Sequence, residues 1–315
     1  MTQQALDLTS ELLRGMRLSG VNYRRIETSR PFGVEFGFVP GKAQFHFISR
    51  GPVLLRMVSG QRLMLQSGDA LFIPNGDGHV LLSDDQASVV NVSRLPSEPV
   101  CDSVSCVKNA CDDAESGSAI IFSACMDFEL GGMQPLVKAM PEVMLVSSLL
   151  TSRPEIQPML AAMERESLTQ QAGYAGILAR LADVVAALIV RGWVACGCGN
   201  ANGWVQVLRD PKLARAIYAM HQQPGVNWKV EELAREAGTS RSVFAERFLA
   251  ATGTTPARYL TELRMRLAVQ YISDEGQTLE KVAFRLGYSS LAAFSRAFKR
   301  ITGKAPGALR GETVL

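Results

Sequence analysis

One pattern occurs twice near the C-terminus and restricts the fold of this chain more than any other feature. Leu233-Ala234, Ala237-Gly238, Ser240, Phe248, Gly253 and Pro256 recur as Val282-Ala283, Leu286-Gly287, Ser289, Phe298, Gly303 and Pro306. The offset is 49 residues through the Ala, Gly and Ser positions and 50 through the Phe, Gly and Pro positions. Each copy reads as a short helix, a tight turn at a Gly and a longer helix closed by a second Gly, which is a helix-turn-helix signature. The predicted helices run from Pro211 through Met220, then over Val230 to Glu236 and Arg241 to Thr252, with Thr239 or Ser240 as cap. Pro256 opens a long helix to about Ser273, roughly 17 residues or about 25 Å. The second copy follows at Leu279 to Arg285 and Ser290 to Ile301. Val243, Phe244 and Phe248 face inward in the first copy, as do Phe294 and Phe298 in the second. That leaves Arg241, Ser242, Ala245 and Glu246, and likewise Leu291, Ala292, Ala293 and Arg296, outward or nearly so.

The charge is divided in the same place. Residues 209–315 hold 17 Lys and Arg against 10 Asp and Glu, whereas the preceding 208 residues hold 16 against 20. A basic terminal module on an acidic body is the electrostatic footprint of a nucleic-acid binder with a separate control domain. Two helix-turn-helix units on one rigid helix can place their second helices in successive major grooves, about 34 Å apart. Lys299, Arg300, Lys304 and Arg310 cluster where the second unit would meet phosphate.

Upstream the pattern changes. Residues 5–18 read as a short amphipathic helix through Leu8, Leu12, Leu13 and Met16. From Val21 to about Val92, short apolar runs cut by Gly, Pro, Asn and Asp predict an antiparallel sandwich or barrel. Within it, Gly68 to His79 (GDALFIPNGDGH) resembles the second cupin motif: a Gly, five residues, Pro-x-Gly, two residues and a His. The resemblance implies a small jelly roll over roughly residues 20–130, with Ala119 to Phe128 as its last strand. The two closely spaced histidines and Glu of the first cupin motif are missing. His46 and His79 are therefore a candidate pair lining a ligand pocket, short of the three imidazoles and a carboxylate of a mononuclear cupin metal site. Residues 95–118, polar and Pro-containing, read as a loop or insertion. Helices follow over Glu155 to Ser167 and Tyr174 to Val194. The second carries an apolar stripe (Ile177, Leu181, Val184, Leu188, flanked by Leu178, Val185 and Ile189) that either packs on the barrel or pairs with its twin in a homodimer. The run Gly197 to Gly203 (GCGNANG) reads as a linker.

The second copy of the repeat then acquires a name. Ala283-Phe284-Arg285-Leu286-Gly287-Tyr288, followed by Phe294 to Pro306 (FSRAFKRITGKAP), resembles the AraC/XylS family signature. The match covers about 100 residues, and the upstream half is similar to the cupin-type sensor domains of part of that family. The resemblance implies an α+β chain: a cupin-like jelly roll with linking helices, then an all-α domain with two helix-turn-helix units. The domains expected are 1–145 for the sensor, 146–196 for a helical dimerisation segment, 197–208 for a flexible linker and 209–315 for the DNA-binding domain. It implies base contacts from Arg241, Ser242, Ala245 and Glu246 and from Leu291, Ala292, Ala293 and Arg296. These positions are mostly short and apolar, so few bidentate base contacts are available, and phosphate contacts and DNA shape carry much of the affinity. Double-stranded promoter DNA, RNA polymerase and a second copy of the chain are the implied partners, with activation of transcription as the implied outcome.

Three signals remain open from the sequence. Cys101, Cys106, Cys111, Cys125, Cys196 and Cys198 do not read as a disulfide framework in a cytoplasmic protein. Cupin-type relatives include regulators that respond to reactive chlorine species through cysteine oxidation. In them a Cys lies on the last barrel strand, where Cys125 matches it, and an N-terminal partner Cys falls where this chain has Ile26. A different Cys, from the 101–111 stretch, would have to resolve the oxidised thiol. The same cysteines are candidates for zinc or another soft metal ion, alone or with His46 or His79. A small organic ligand in the barrel is the third option. The rival class, a metal-dependent cupin enzyme fused to a DNA-binding tail, lacks the ligands that such chemistry needs. No tract is apolar enough to cross a membrane, and the N-terminus has no signal-peptide pattern, so the expectation is a non-enzymatic cytoplasmic regulator.

Overall fold

The computed structural model describes residues 16–101, 104–109, 118–147, 149–150, 153–169, 171–196, 204, 207, 210–273 and 276–310. It divides into two compact units, one built on residues 17–129 and 140–196, the other on 130–139 and 197–315.

The first unit is a mixed two-sheet barrel with two helices. Its strands are β1 Arg17–Thr28, β2 Gly33–Phe36, β3 Lys42–Arg50, β4 Val53–Met57, β5 Arg62–Leu65, β6 Ala70–Ile73, β7 His79–Leu82, β8 Val89–Asn91, β9 Ser97–Cys101, β10 Val104–Asn109, β11 Ala119–Glu129 and β12 Met144–Leu145. Seven of them form one sheet in the order β12-β6-β3-β11-β1-β10-β9, and five form the other in the order β5-β4-β7-β2-β8. Alternation of side chains along β3, β11 and β1 turns Ile48, Ile121 and Ile26 into the space between the sheets, where Val34, Leu55, Leu71 and Leu81 meet them. The cupin-like motif has a local cause. Gly76 sits at φ +65°, and a Cβ there would lie 2.4 Å from the Val39 carbonyl oxygen and 2.6 Å from that of Lys42. Only glycine lets this turn close and send His79 into β7.

Helices α1 Ile156–Thr169 and α2 Tyr174–Cys196 belong to this unit rather than to a separate segment. The Tyr23 hydroxyl on β1 donates to the Ala179 carbonyl on α2 at 3.1 Å. The stripe on α2 is rotated from its expected line. Leu178, Ala182, Val185, Ala186 and Ile189 are buried, while Ile177 and Val184 stay 46% and 43% exposed. The residues named as flanks pack together with Leu188 of the stripe, because small Ala182 and Ala186 let the helix approach along their side.

Two other expectations are corrected here. Residues 95–118 are not simply a loop: β9 is the edge of the seven-stranded sheet and β10 runs parallel to β1. Among the described side chains of this edge strand and its neighbour, Val104 and Val107 alone are buried, too little apolar pattern to announce a strand. The predicted N-terminal helix lies largely outside the described residues, and its last part is strand, since β1 begins at Arg17.

In the second unit the helices are α3 Pro211–Gln222, α4 Val230–Glu236, α5 Arg241–Thr252, α6 Pro256–Ser273, α7 Leu279–Arg285 and α8 Leu291–Thr302. Asp210 caps α3 by accepting from the Lys212 and Leu213 amides, with Pro211 at the first helical position. Trp204 and Val207, placed by sequence in the linker, are buried, and Trp204 lies 5.2 Å from the Tyr259 ring. The rest of that linker lies outside the described residues.

Candidate nucleic-acid interface

Each longer helix of the repeat is fixed at both ends. Ser240 accepts from the Val243 amide and Ser290 from the Ala293 amide, while Gly253 and Gly303 close α5 and α8 in the left-handed region at φ +70° and +77°. Ser290, not Ser289, is therefore the counterpart of Ser240. The extra residue of the second copy sits in the turn, Gly287-Tyr288-Ser289, before the cap. Phe244 and Phe248 anchor α5, and Phe294 and Phe298 anchor α8, all at or below 1% exposure.

That anchoring decides which face each helix presents. On α5, Arg241, Ser242 and Glu246 are exposed and Ala245 is half-buried. Arg241 also pairs through Nε with Glu231 Oε1 at 3.0 Å, which holds it against α4. Val243 is not inward as predicted: it is 43% exposed, because Phe244 alone fills the core at this turn. Val243 therefore joins the presented face, an apolar position that sequence periodicity assigned to the interior. On α8, Ala292 and Arg296 are exposed, Ala293 is half-buried, and Leu291 packs partly on the core of the second unit. Lys299, Arg300 and Lys304 are exposed at the C-terminal end of α8 and beyond it. The side chain of Arg310 lies outside the described residues.

The barrel holds a second constellation. His46 on β3 and His79 on β7 bridge the two sheets, Nε2 to Nε2 at 2.8 Å, and both are essentially buried. The His79 Nδ1 lies 2.9 Å from the Asp77 carbonyl, which can only accept, so the proton is on Nδ1 and Nε2 of His79 accepts. His46 must then donate from Nε2, and its Nδ1 accepts from the Ser123 hydroxyl at 2.8 Å. Phe36 stacks on His79 at 4.9 Å and meets His46 edge-on at 4.7 Å. Burial holds His46 well below the usual imidazole range and pushes His79 down to about 4. Both rings are neutral, and every ring nitrogen has a partner.

This geometry does not fit the metal that the cupin fold implies. Two nitrogens bound to one tetrahedral zinc at about 2.0–2.1 Å each would stand about 3.3 Å apart with both lone pairs on the ion, whereas here they share a proton at 2.8 Å. Among the described residues, no three His, Cys, Asp or Glu side chains are grouped to hold an ion. A cleft of about 330 Å³ opens beside His79, lined by Phe36, Phe38, Val58, Asp77 and Glu142 among others.

The structure does not bring the described cysteine side chains together. Cys106 on β10 is in register with Arg25 on β1, which faces Phe122 on β11. Cys125 lies three residues beyond Phe122, on the opposite face of the sheet and two strands away, about 9.5 Å. A disulfide needs Cα atoms within about 7 Å and Cβ atoms pointing at each other. Cys125 is half-buried, and burial raises its thiol, with Lys42 and Arg24 pulling it part of the way back. Cys111 and Cys198 lie outside the described residues, as do the side chains of Cys101 and Cys196.

Comparison with known proteins matches both halves of the chain. Residues 7–195 match the family model described as Cupin, and residues 233–312 match that described as Helix-turn-helix domain. The chain belongs to the AraC/XylS family, with a cupin N-terminal domain. It is 29% identical over 263 residues to the HTH-type transcriptional regulator AlkR of Acinetobacter baylyi, a match covering 83% of this chain and 85% of AlkR. It is 26% identical over 269 residues to the RCS-specific HTH-type transcriptional activator RclR of Escherichia coli K12, covering 85% of this chain and 84% of RclR. A solved AraC-type regulator from Chromobacterium violaceum aligns at 24% identity over 34% of this chain and 95% of that one, with a TM-score of 0.32. This AraC/XylS member is thus a DNA-binding transcriptional regulator. Among the described residues, no helix is long and apolar enough to cross a membrane.

Proposed function

We propose that the protein is a transcriptional activator that reads two successive major-groove segments, one with α5 and one with α8. The observation that carries this reading is the pair of capped, Phe-anchored helices, each turning an outward face in which Arg241, Ser242 and Glu246 correspond to Leu291, Ala292 and Arg296. Arg241, Ser242, Ala245 and Glu246 would meet one segment, and Leu291, Ala292, Ala293 and Arg296 the other. Lys299, Arg300 and Lys304 would contact phosphate. With so few long polar side chains at the bases, Arg296 is the residue most able to fork onto a guanine. Gel-shift titration of the full chain on its own promoter region tests this. Arg296→Ala should cost about 1–3 kcal/mol and relax preference at one base pair. Replacing Lys299, Arg300 and Lys304 with Ala should weaken binding to all sequences alike and flatten the salt slope by about one for each phosphate no longer neutralised. Failure of the full chain to bind any duplex at low salt would end this reading.

Two finer parts of the proposal concern assembly and signal. The active form is a homodimer joined along α2, supported by Ile177 and Val184, large apolar side chains that stand exposed on that helix. Val184→Asp should shift the chain to monomer in sedimentation, with the circular dichroism spectrum unchanged. The signal reaches the cupin domain and acts through oxidation of Cys125, a reading supported by its place on β11, which only the two-residue β12 follows, and by the name of RclR. The raised thiol predicts slow attack at neutral pH and faster reaction as the pH rises, since the thiolate is the nucleophile. Cys125→Ser should abolish the change in DNA binding on hypochlorite treatment. A Cys125→Ser chain that still responds would shift the signal to the remaining cysteines or to a ligand in the cleft beside His79.

A further inference from the structure

The two helix-turn-helix units touch each other through main chain. The turn that leads from α3 to α4 carries Pro224-Gly225-Val226, and the turn between α7 and α8 carries Gly287-Tyr288. A Cβ on Gly225 would lie 2.5 Å from the Arg285 carbonyl oxygen, and one on Gly287 would lie 2.0 Å from the Gly225 carbonyl oxygen. Backbones approach this closely only where neither residue has a side chain. Gly238, the counterpart of Gly287 in the first copy, is also left-handed but has no backbone nearby; its closest neighbour is Arg215 Nη2 at 3.5 Å. The repeat thus demands a turn glycine at both places and a contact glycine at only one.

Arg264, on the long helix α6, grips both turns at this point. Its Nε donates to the Pro224 carbonyl at 2.6 Å and its Nη2 to the Val226 carbonyl at 3.0 Å, on either side of Gly225. The guanidinium lies 5.7 Å from the centre of the Tyr288 ring, and Tyr288 meets Phe294 edge-on at 5.6 Å in the first turn of α8. The residue is 8% exposed. A buried cation held by main-chain carbonyls and an aromatic ring places its planar fork where a lysine could not follow. The contacts run without a break from the turn between α3 and α4, through Arg264 and Tyr288, to α8.

We infer that Arg264, with the Gly225–Gly287 contact, is a bracket that fixes α8 relative to the first helix-turn-helix and so sets the distance between the two DNA segments the protein accepts. The inference rests on the reading that both units engage DNA. A hinge at α6 would let each unit find its own groove, whereas a locked pair tolerates one spacing. Each base pair added between the segments turns the second by about 35° around the duplex. Arg264 is a positioning residue in this scheme and contacts no base.

The test uses the full chain and a duplex that it recovers from a random pool, remade with the interval between the two protected segments changed by one or two base pairs. Wild type should lose at least about tenfold in affinity per step, about 1.4 kcal/mol. Gly225→Ala, whose backbone an alanine can adopt but whose Cβ meets Arg285, should reduce that penalty to less than threefold. Arg264→Gln should do the same, and Arg264→Lys should fall between. Gly238→Ala, strained in the equivalent turn without the contact, should weaken binding at all intervals alike and keep the wild-type preference. Circular dichroism and thermal unfolding establish which variants are folded at the assay temperature; if Gly225→Ala is not, Arg264→Lys carries the comparison. A folded Arg264 variant with the wild-type interval preference overturns the bracket. So does Gly238→Ala flattening the preference as much as Gly225→Ala, since loss of stability alone would then explain both. A wild-type chain indifferent to the interval would defeat the two-segment reading itself, and the bracket with it.

Discussion

Acidification from about pH 7.5 to about pH 5 is expected to destabilise both units, and the three histidines carry a defined share of the loss. The sequence contains only His46, His79 and His221. Burial lowers all three: His79 and His221 to about 4, and His46 well below the usual range. In the unfolded chain each titrates near 6.5. Between about 4 and about 6.5 the unfolded state therefore binds protons that the folded state refuses, so stability rises with pH across that window. Read downward, the stabilisation present above about 6.5 is lost as the pH falls towards about 4. For a shift from 6.5 to about 4, linkage gives about 2 kcal/mol lost between pH 7.5 and pH 5 for each of His79 and His221. His46 acts in the same direction. Protonating either member of the barrel pair also puts two N–H groups nose to nose or leaves a buried charge, because the chain Ser123–His46–His79–Asp77 has room for one proton per bond. Urea unfolding of the full chain at several pH values measures the effect. His221→Gln should remove part of the dependence from the second unit, where His221 Nε2 lies 2.7 Å from the Tyr259 hydroxyl. His79→Gln should remove part from the barrel while lowering its stability at pH 7.5. A midpoint in His79→Gln that fell between pH 7.5 and pH 5 as steeply as in wild type would show that the pair does not titrate as described.

The second unit was more legible in the sequence than the first because its signals are local. Helices α4, α5 and α6 have the predicted bounds, since Ser240, Gly253 and Pro256 are chemical stops that act within one turn. The barrel's cupin motif was legible for the same reason, Gly76 being required by its own turn. What escaped was set by partners distant in sequence. Strands β9 and β10 exist because β1 offers a parallel edge some 80 residues earlier, and nothing within residues 95–118 records that. Val243 and Phe244 are adjacent apolar residues, and only the core decides which enters. The His46–His79 bond shows a middle case: the sequence offers both residues as a pair lining the interior, but their mutual contact, which closes the site to a metal, depends on the distance between two sheets. Arg264 was invisible for a different reason. On a polar helix an arginine reads as solvated, and its burial follows from two glycines 39 residues before it and 23 after.

Phe248→Ala and Phe298→Ala, the equivalent substitutions in the two copies, should each disable one reading helix and leave its twin. Both side chains are fully buried, and Phe→Ala in a packed core costs about 3–5 kcal/mol. The two sites differ in aromatic company. Phe248 lies 5.5 Å from Phe244 and 5.8 Å from Tyr259, whereas Phe298 has Phe294 at 5.7 Å. Each such pair adds about 0.5–1.5 kcal/mol beyond the area it buries, so Phe248→Ala should be the more destabilising. The loss need not spread through the whole chain, because structure opens in cooperative pieces, and Phe298 sits in a core built from α6, α7, the turn at Leu286, α8 and Leu309 beyond it. Hydrogen exchange in Phe298→Ala should therefore rise in α7 and α8 while α4 and α5 remain protected, and Phe248→Ala should give the reverse. Apparent DNA affinity falls with the fraction of chains whose reader is formed, so a subdomain open nine times in ten binds about tenfold more weakly. If α8 reads DNA independently of α5's integrity, protection of one DNA segment should survive each substitution, a different segment in each case. Loss of the same segment in both variants would mean that only one unit contacts DNA and that the other is scaffold.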